Sequence, residues 1–133
     1  MTIPVTLIDE STAGGGTRTF TLDFLEEHVT VREILRRRVY EEVTEYNARQ
    51  PELFHGLVQP SDAERALNGF RLKTRRALDW EEQYRHAVDA FERLAFVMLV
   101  DDRQVDHLDE RVHLRLDQPT EVTFLKLVPL VGG

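Results

Sequence analysis

The sequence predicts an α+β fold, with strands near both ends of the chain and helices between them. Three observations carry this prediction. Residues 18–24 alternate polar and apolar side chains, which is typical of a strand with one buried face. Residues 31–46 repeat apolar side chains at helical spacing. Strand-type apolar runs then return at residues 95–100 and 122–128.

Composition limits the possible function classes. The 133 residues suit one domain with its own core, and the net charge of -7 argues against general nucleic-acid binding. The absence of cysteine excludes disulfides, thiolate metal sites and a cysteine nucleophile on this chain. The first residues lack a signal-peptide pattern, and no apolar run is long enough to span a membrane. We therefore expect a cytoplasmic protein that binds neither nucleic acid nor membranes.

The first fifty residues predict a hairpin followed by a helix. Residues 3–9 form an apolar, β-branched run, and three glycines at 14–16 predict the hairpin loop before the strand at 18–24. A phosphate-binding loop would need Gly-Lys-Ser/Thr after the glycines, and that sequence is absent. Thr30 and Glu33 form a capping box for a helix that should end before Pro51. We expect the arginines at 36–38 to lie mostly on a solvated, acid-paired face of this helix.

Residues 50–94 predict a helical insertion. Ser61 with Glu64 resembles a capping box for a second helix, and Asp79 with Glu82 opens a third. The apolar stripe of the third helix consists of Trp80, Tyr84, Ala87, Val88, Phe91 and Leu94. Between these helices lies a basic run, which is either a solvated surface or a docking patch for an acidic partner: Arg71, Lys73, Arg75 and Arg76.

The last third predicts a strand at 95–100, a short strand at Gln104-Val105, a helical turn at 108–114 and a final strand at 122–128. The acidic residues between 101 and 110 lack the spacing of a calcium loop, so we predict no metal site. We expect one core between helix and sheet, formed by Phe20, Leu22, Ile34, Leu35, Phe96, Met98 and Phe124.

The sequence closes on Gly132-Gly133. Because glycine has no Cβ, such a pair can thread a narrow channel and present an unhindered carboxylate for activation as an acyl-adenylate. The alternative is a frayed end without function. The residues that a partner would recognise beside the glycines are Leu127, Val128, Pro129, Leu130 and Val131.

The order of elements over residues 1–49 and 95–133 resembles the ubiquitin β-grasp family. The stretches that carry the resemblance are VTVREIL, FVMLVDDRQVDHLDERVHL and TFLKLVPLVGG. The first is similar to the sulfur-carrier proteins of molybdopterin and thiamine synthesis, the second to ubiquitin, and the third to both groups. The family implies a body of residues 1–49 and 95–128, with residues 50–94 inserted and 129–133 as a C-terminal Gly-Gly tail. Val131 stands where ubiquitin has an arginine, which fits bacterial modifiers that are encoded beside their own activating enzymes.

Three functions follow from the resemblance. The first is a protein modifier whose Gly133 carboxylate is adenylated by a partner enzyme with ATP and magnesium, and is then joined to target amines. A conjugating enzyme and a metallopeptidase are its expected further partners. The second is a sulfur carrier with a thiocarboxylate at Gly133, and the third is a noncovalent binding module. In each case the chain itself has no catalytic residues, no metal and no cofactor.

Overall fold

The computed structural model describes residues 1–66 and 69–128, and is of mixed α and β structure. It forms two compact units, one of Met1–Ile34 with Phe91–Gly133, the other of Leu35–Ala90. The elements are β1 (Ile3–Ser11), β2 (Arg18–Phe24), β3 (His28–Thr30), α1 (Val31–Arg49), β4 (Ala63–Ala66), β5 (Gly69–Leu72), α2 (Trp80–Glu92), β6 (Phe96–Val100), β7 (Arg103–Val105), β8 (Arg111–His113) and β9 (Thr120–Lys126).

A five-stranded mixed sheet organises the first unit, in the order β2-β1-β9-β6-β7. β1 pairs antiparallel with β2 and parallel with β9, and β6 pairs antiparallel with both β9 and β7. β9 therefore lies between two partners, although it is last in the sequence. Because successive side chains of a strand point to opposite faces, alternate residues of these strands share one buried face. Those buried there include Val5, Leu7, Leu22, Met98, Val122 and Phe124.

Most of the residues predicted for the core are buried. Phe124, Met98, Ile34 and Leu35 are fully buried, and Leu22 and Phe96 are nearly so. Phe20 is the exception, because it is only half-buried. It lies opposite Leu7 on β2, which is an edge strand with a neighbour on one side only.

Residues 108–114 do not form the predicted helical turn. Residues 111–113 instead form β8, which pairs antiparallel with β3. The preceding residues cap α1, since the carbonyls of Glu110 and Leu108 accept hydrogen bonds from the amides of Val31 and Arg32 at 2.9 and 2.8 Å. The predicted Thr30 cap is present as well, with its hydroxyl accepting from the amide of Glu33 at 3.1 Å. These bonds satisfy backbone donors that the first turn of a helix leaves unpaired.

In the second unit, the predicted helix after Ser61 is wrong. Residues 63–66 and 69–72 form the antiparallel hairpin β4–β5. The Ser61 hydroxyl donates to Glu82 at 2.9 Å instead of capping a helix, and Asp62 adopts a positive φ of 55°, outside the right-handed helical range. Phe54 adds a further bridge to this hairpin through two backbone hydrogen bonds with Phe70.

The third predicted helix exists as α2, with its start confirmed at Asp79, whose carboxylate accepts from the amide of Glu81 at 3.0 Å. Its buried face differs from the predicted stripe. Ala87, Ala90 and Phe91 are buried together with Gln83, whereas Leu94 lies beyond the helix and is 60% exposed. Gln83 was missed because a polar side chain does not count toward an apolar stripe; its amide donates to the Val58 carbonyl at 3.2 Å.

Half-buried polar side chains of α1 bond to the irregular residues between α1 and α2. Glu42 accepts from the buried Arg38 guanidinium at 3.1 Å and from the Leu57 amide at 3.2 Å. The Asn47 side chain forms two hydrogen bonds with the backbone of Leu78, donating to its carbonyl at 2.9 Å and accepting from its amide at 2.8 Å. The expectation of a solvated face at residues 36–38 is therefore wrong for Arg38, which is 1% exposed.

We predict that Phe124→Ala lowers the free energy of unfolding by about 3–5 kcal/mol, because a fully buried ring leaves a cavity in a central strand. Urea unfolding measures the loss. Leu116→Ala, at a side chain that is 61% exposed, is the control and should cost less than about 0.5 kcal/mol. A loss below about 1 kcal/mol for Phe124→Ala would contradict the burial of this ring.

We predict that Gly56→Ala destabilises the second unit by about 1–3 kcal/mol, because an added Cβ would overlap the ring of Phe54. Thermal unfolding of the full chain measures the effect. The same substitution in a Phe54→Leu background tests the cause: the clash predicts that it costs less there, and equal costs in both backgrounds would exclude it.

Candidate functional site

The candidate site begins where β9 ends, at the last described residues of the chain. After Lys126, the amide of Leu127 donates to the Ala95 carbonyl at 3.0 Å, on the β6 side. The amide of Val128 then donates to the Thr12 hydroxyl at 2.8 Å, on the β1 side. The chain is thus held from both sides up to Val128, which fixes the point from which the C-terminal segment (residues 129–133) starts.

The predicted site residues fall into two groups here. Leu127 and Val128 are described, and the two residues are 38% and 37% exposed, so a partner can reach them. Pro129, Leu130, Val131, Gly132 and Gly133 lie outside the described residues. Their predicted roles in recognition and conjugation stay predictions.

Thr12 is a site residue that sequence reasoning missed. It follows β1, and its amide donates to the Lys126 carbonyl at 3.0 Å while its hydroxyl accepts from Val128. The loop then turns through Gly14, Gly15 and Gly16, all with positive φ, which glycine adopts without steric cost. The glycines signal the loop in the sequence, but nothing in the sequence pairs Thr12 with a residue 116 positions later.

The second face of the sheet offers a half-buried apolar surface. The strand register places Ile8 beside Thr123 and Thr123 beside Leu99, in one row across β1, β9 and β6. Leu125 and Val97 form the next pair on this face. Ile8, Leu99, Leu125 and Val97 are each half-buried, whereas Leu7, Met98 and Phe124 on the opposite face are buried. We refer to these four apolar residues as the outer sheet patch.

The predicted basic patch lies in the second unit, and three of its four residues already interact with other groups of the protein. Arg71 pairs with Glu52 at 3.2 Å, with the two side chains 50% and 79% exposed, so the pair contributes little stability. Arg75 donates to the Gln50 carbonyl at 2.9 Å, and Arg76 to the Ser61 carbonyl at 2.6 Å. Lys73 is exposed. The last two arginines therefore support the local chain as well as carrying charge.

We predict that Thr12→Val accelerates amide hydrogen exchange at Val128, because valine keeps the shape of threonine but removes the acceptor. The cost in global stability should be at most about 1 kcal/mol, since the bond is exposed to water. Thr17→Val, in the same loop region, is the control. Unchanged exchange at Val128 would show that the Thr12 hydroxyl does not hold this residue.

The described part of the chain contains no group of three or more His, Asp or Glu residues placed to hold a metal ion. None of its helices combines the length and apolar character needed to cross a membrane. Comparison with protein-family models, with curated proteins and with solved structures finds no match to this chain.

Proposed function

We propose that this chain is a ubiquitin-like β-grasp protein modifier, activated at the carboxylate of Gly133 by a partner enzyme and joined to target amines. Support for the fold assignment comes from the strand order: an N-terminal hairpin, a helix, and a last strand that pairs parallel with the first. Support for the function comes from Gly132-Gly133, which follows that strand by a few residues.

The observation that carries the proposal is the two-sided anchoring of the residues after β9. Thr12 and Ala95 hold the chain up to Val128, so a reactive end five residues further starts from a rigid base. Five residues span at most ~18 Å when extended. The Gly133 carboxylate can therefore enter a partner's active site while the folded body stays outside it.

The proposed conjugation of Gly133 to a target amine proceeds in three steps. The carboxylate oxygen attacks the α-phosphorus of ATP, forming an acyl-adenylate and releasing pyrophosphate. A partner cysteine thiolate attacks the acyl carbon, and AMP leaves. The nitrogen of a target amine then attacks the acyl carbon, the cysteine thiolate leaves, and the nitrogen loses a proton, so that an amide forms. The partners supply ATP, magnesium and both catalytic sites, whereas this chain supplies a carboxylate that no Cβ hinders.

Two surfaces are proposed for partner recognition. The outer sheet patch is apolar and lies on the strands next to the anchored chain, so it suits contact with the activating enzyme. The basic patch around Lys73 suits an acidic region of the activating or conjugating partner. Lys73→Glu tests the second surface better than charge reversal at Arg75 or Arg76, because those two side chains also bond to the backbone.

The sulfur carrier is the second candidate, favoured by Pro129 just before the final residues. It shares the acyl-adenylate, but here sulfide from a partner's donor attacks the acyl carbon, AMP leaves, and a thiocarboxylate forms at Gly133. Both functions need the α-carboxyl group of Gly133 to be free in the mature protein, as synthesised or after a peptidase cuts behind it. The intact mass of the native protein tests this requirement.

We predict that deleting Gly132 and Gly133 abolishes transfer to the cysteine of a cognate adenylating enzyme, while the thermal midpoint is unchanged, because both residues lie beyond β9. Non-reducing gels detect the thioester. Leu116→Ala, at an exposed leucine on neither proposed surface, leaves the glycines intact and is the control that should transfer normally. Undiminished transfer by the deletion variant would refute a reactive Gly133.

The wild-type products separate the two candidates. A ladder of isopeptide-linked species after incubation with enzyme, ATP and cell extract supports the modifier. A mass gain of one sulfur-for-oxygen exchange supports the carrier. An unaltered mass with the cognate enzyme would leave only the noncovalent binding module.

A further inference from the structure

A groove of about 440 Å³ lies in the first unit, where α2 ends and the residues before β8 begin. Its apolar part is formed by Phe91, Leu94 and Leu108. Phe91 and Leu108 are buried, with 7% and 6% of their surface exposed, while Leu94 is 60% exposed. Leu94 is thus the apolar side chain that this groove, which we call the Leu94 groove, presents to solvent.

Leu94 has an unusual backbone conformation for its side chain. Its φ is +60°, in the left-handed region, and its amide donates to the Phe91 carbonyl at 3.1 Å to close the end of α2. Glycine or asparagine normally occupies such a position, because a Cβ is strained there. Strained residues of this kind cluster at functional sites.

Exposure and strain both act against a structural role for Leu94. A leucine that is mostly in water gains little from burial, and its branched side chain adds backbone strain that glycine would avoid. A role in binding accounts for both features, since burial against a partner would recover the apolar contact that the free protein lacks.

The rim of the groove is acidic. Glu92, Asp106 and Asp109 line it, and Arg32 is the one guanidinium among its lining residues. Arg32 is already bound to Asp109, at 3.3 Å. The carboxylates of Glu92 and Asp106 therefore leave an excess of negative charge around an apolar centre, on a chain whose net charge is -7. A cationic partner is electrostatically complementary to this surface.

We propose that the Leu94 groove docks a partner-protein segment in which one apolar side chain is flanked by lysine or arginine. The apolar side chain packs on Leu94 and Phe91, and the cations face Glu92 and Asp106. This inference goes beyond the proposed function, because it holds whether or not Gly133 is activated. The groove also adjoins the anchored chain, since Ala95, next to Leu94, accepts the hydrogen bond from Leu127.

The test is an NMR titration of the full chain, carrying isotope-labelled leucine methyl groups, with three synthetic peptides. The first has a central leucine flanked by lysines, the second replaces the lysines with glutamates, and the third replaces the leucine with alanine. The methyl resonances of Leu94 and Leu108 should shift with the first peptide, less with the third, and not with the second. Added salt should weaken the first interaction, because opposite charges face each other across the interface.

Leu94→Gly separates docking from a structural role. Glycine relieves the positive φ, so the thermal midpoint should stay constant or rise, while affinity for the lysine-flanked peptide falls by about tenfold or more. Leu116→Ala, at a leucine of similar exposure, is the matched control and should bind normally. The double variant with Glu92→Gln and Asp106→Asn should bind the lysine-flanked peptide more weakly. Its binding should also depend less on salt concentration.

Three results would overturn the proposal. The first is the absence of a selective shift at Leu94 with the lysine-flanked peptide, and the second is an equal shift with the glutamate-flanked peptide. The third is a lowered thermal midpoint for Leu94→Gly, which would mark Leu94 as a structural residue. None of these results bears on transfer from Gly133, so the failure of one proposal is distinguishable from the failure of the other.

Discussion

The parallel pairing of β1 with β9 is the constraint on which the first unit depends. Its register runs from Val5 opposite Thr120 to Ser11 opposite Lys126, so it joins residues that are about 115 positions apart. Closing a loop of that length carries an entropic cost that only later contacts offset. The offset comes from burial: Val5, Leu7, Val122 and Phe124 are all fully buried along this pair. Because the sheet cannot be completed before β9 is available, we expect slow, non-local folding of this unit.

The second unit relies more on polar side chains. Between α1 and α2, long irregular stretches have backbone groups that no helix or sheet can pair. Glu42, Asn47 and Gln83 satisfy several of them, at Leu57, Leu78 and Val58. An unsatisfied buried polar group costs about 1–3 kcal/mol, which applies most fully to the buried bond of Gln83, and all three side chains specify where the loop lies. This dependence explains why the unit contains buried polar residues in helices whose sequence suggests an apolar stripe.

The features proposed for function gather around the strands that carry the C-terminal segment. β9 supplies the anchored base, the outer sheet patch spreads over β1, β9 and β6, and the Leu94 groove lies next to the residue that accepts the hydrogen bond from Leu127. Under the proposed function, surfaces beside the anchored Val128 would set the position of a partner's active site. The outer sheet patch and the anchored base of the C-terminal segment would then belong to the same sheet. The second unit carries the charged surface around Lys73.

Local patterns in the sequence determined several elements closely. The alternation at residues 18–24 matches β2, and the Thr30 signal places the start of α1 at Val31. The apolar run after Ala95 predicts β6. The apolar run at residues 122–128 predicts most of β9. These elements were predictable for one reason: each signal depends on side chains only a few positions apart, through strand alternation or the repeat of a helix. In the candidate site, the recognition role of Leu127 and Val128 stays a prediction, drawn from their place beside the glycines.

The tertiary structure decided what depends on distant partners. Residues 111–113 form a strand because His28–Thr30 lies beside them, and Ala63–Ala66 pairs with Gly69–Leu72 despite a capping-box pattern. Thr12 belongs to the candidate site only because its hydroxyl accepts a hydrogen bond from the amide of Val128, which is distant in the sequence. Leu94, which the helical repeat assigns to a buried stripe, turned outward because α2 ends before it and its backbone enters the left-handed region. Local propensities differ by only about 1 kcal/mol per residue, so long-range hydrogen bonds and burial determine the outcome at such positions.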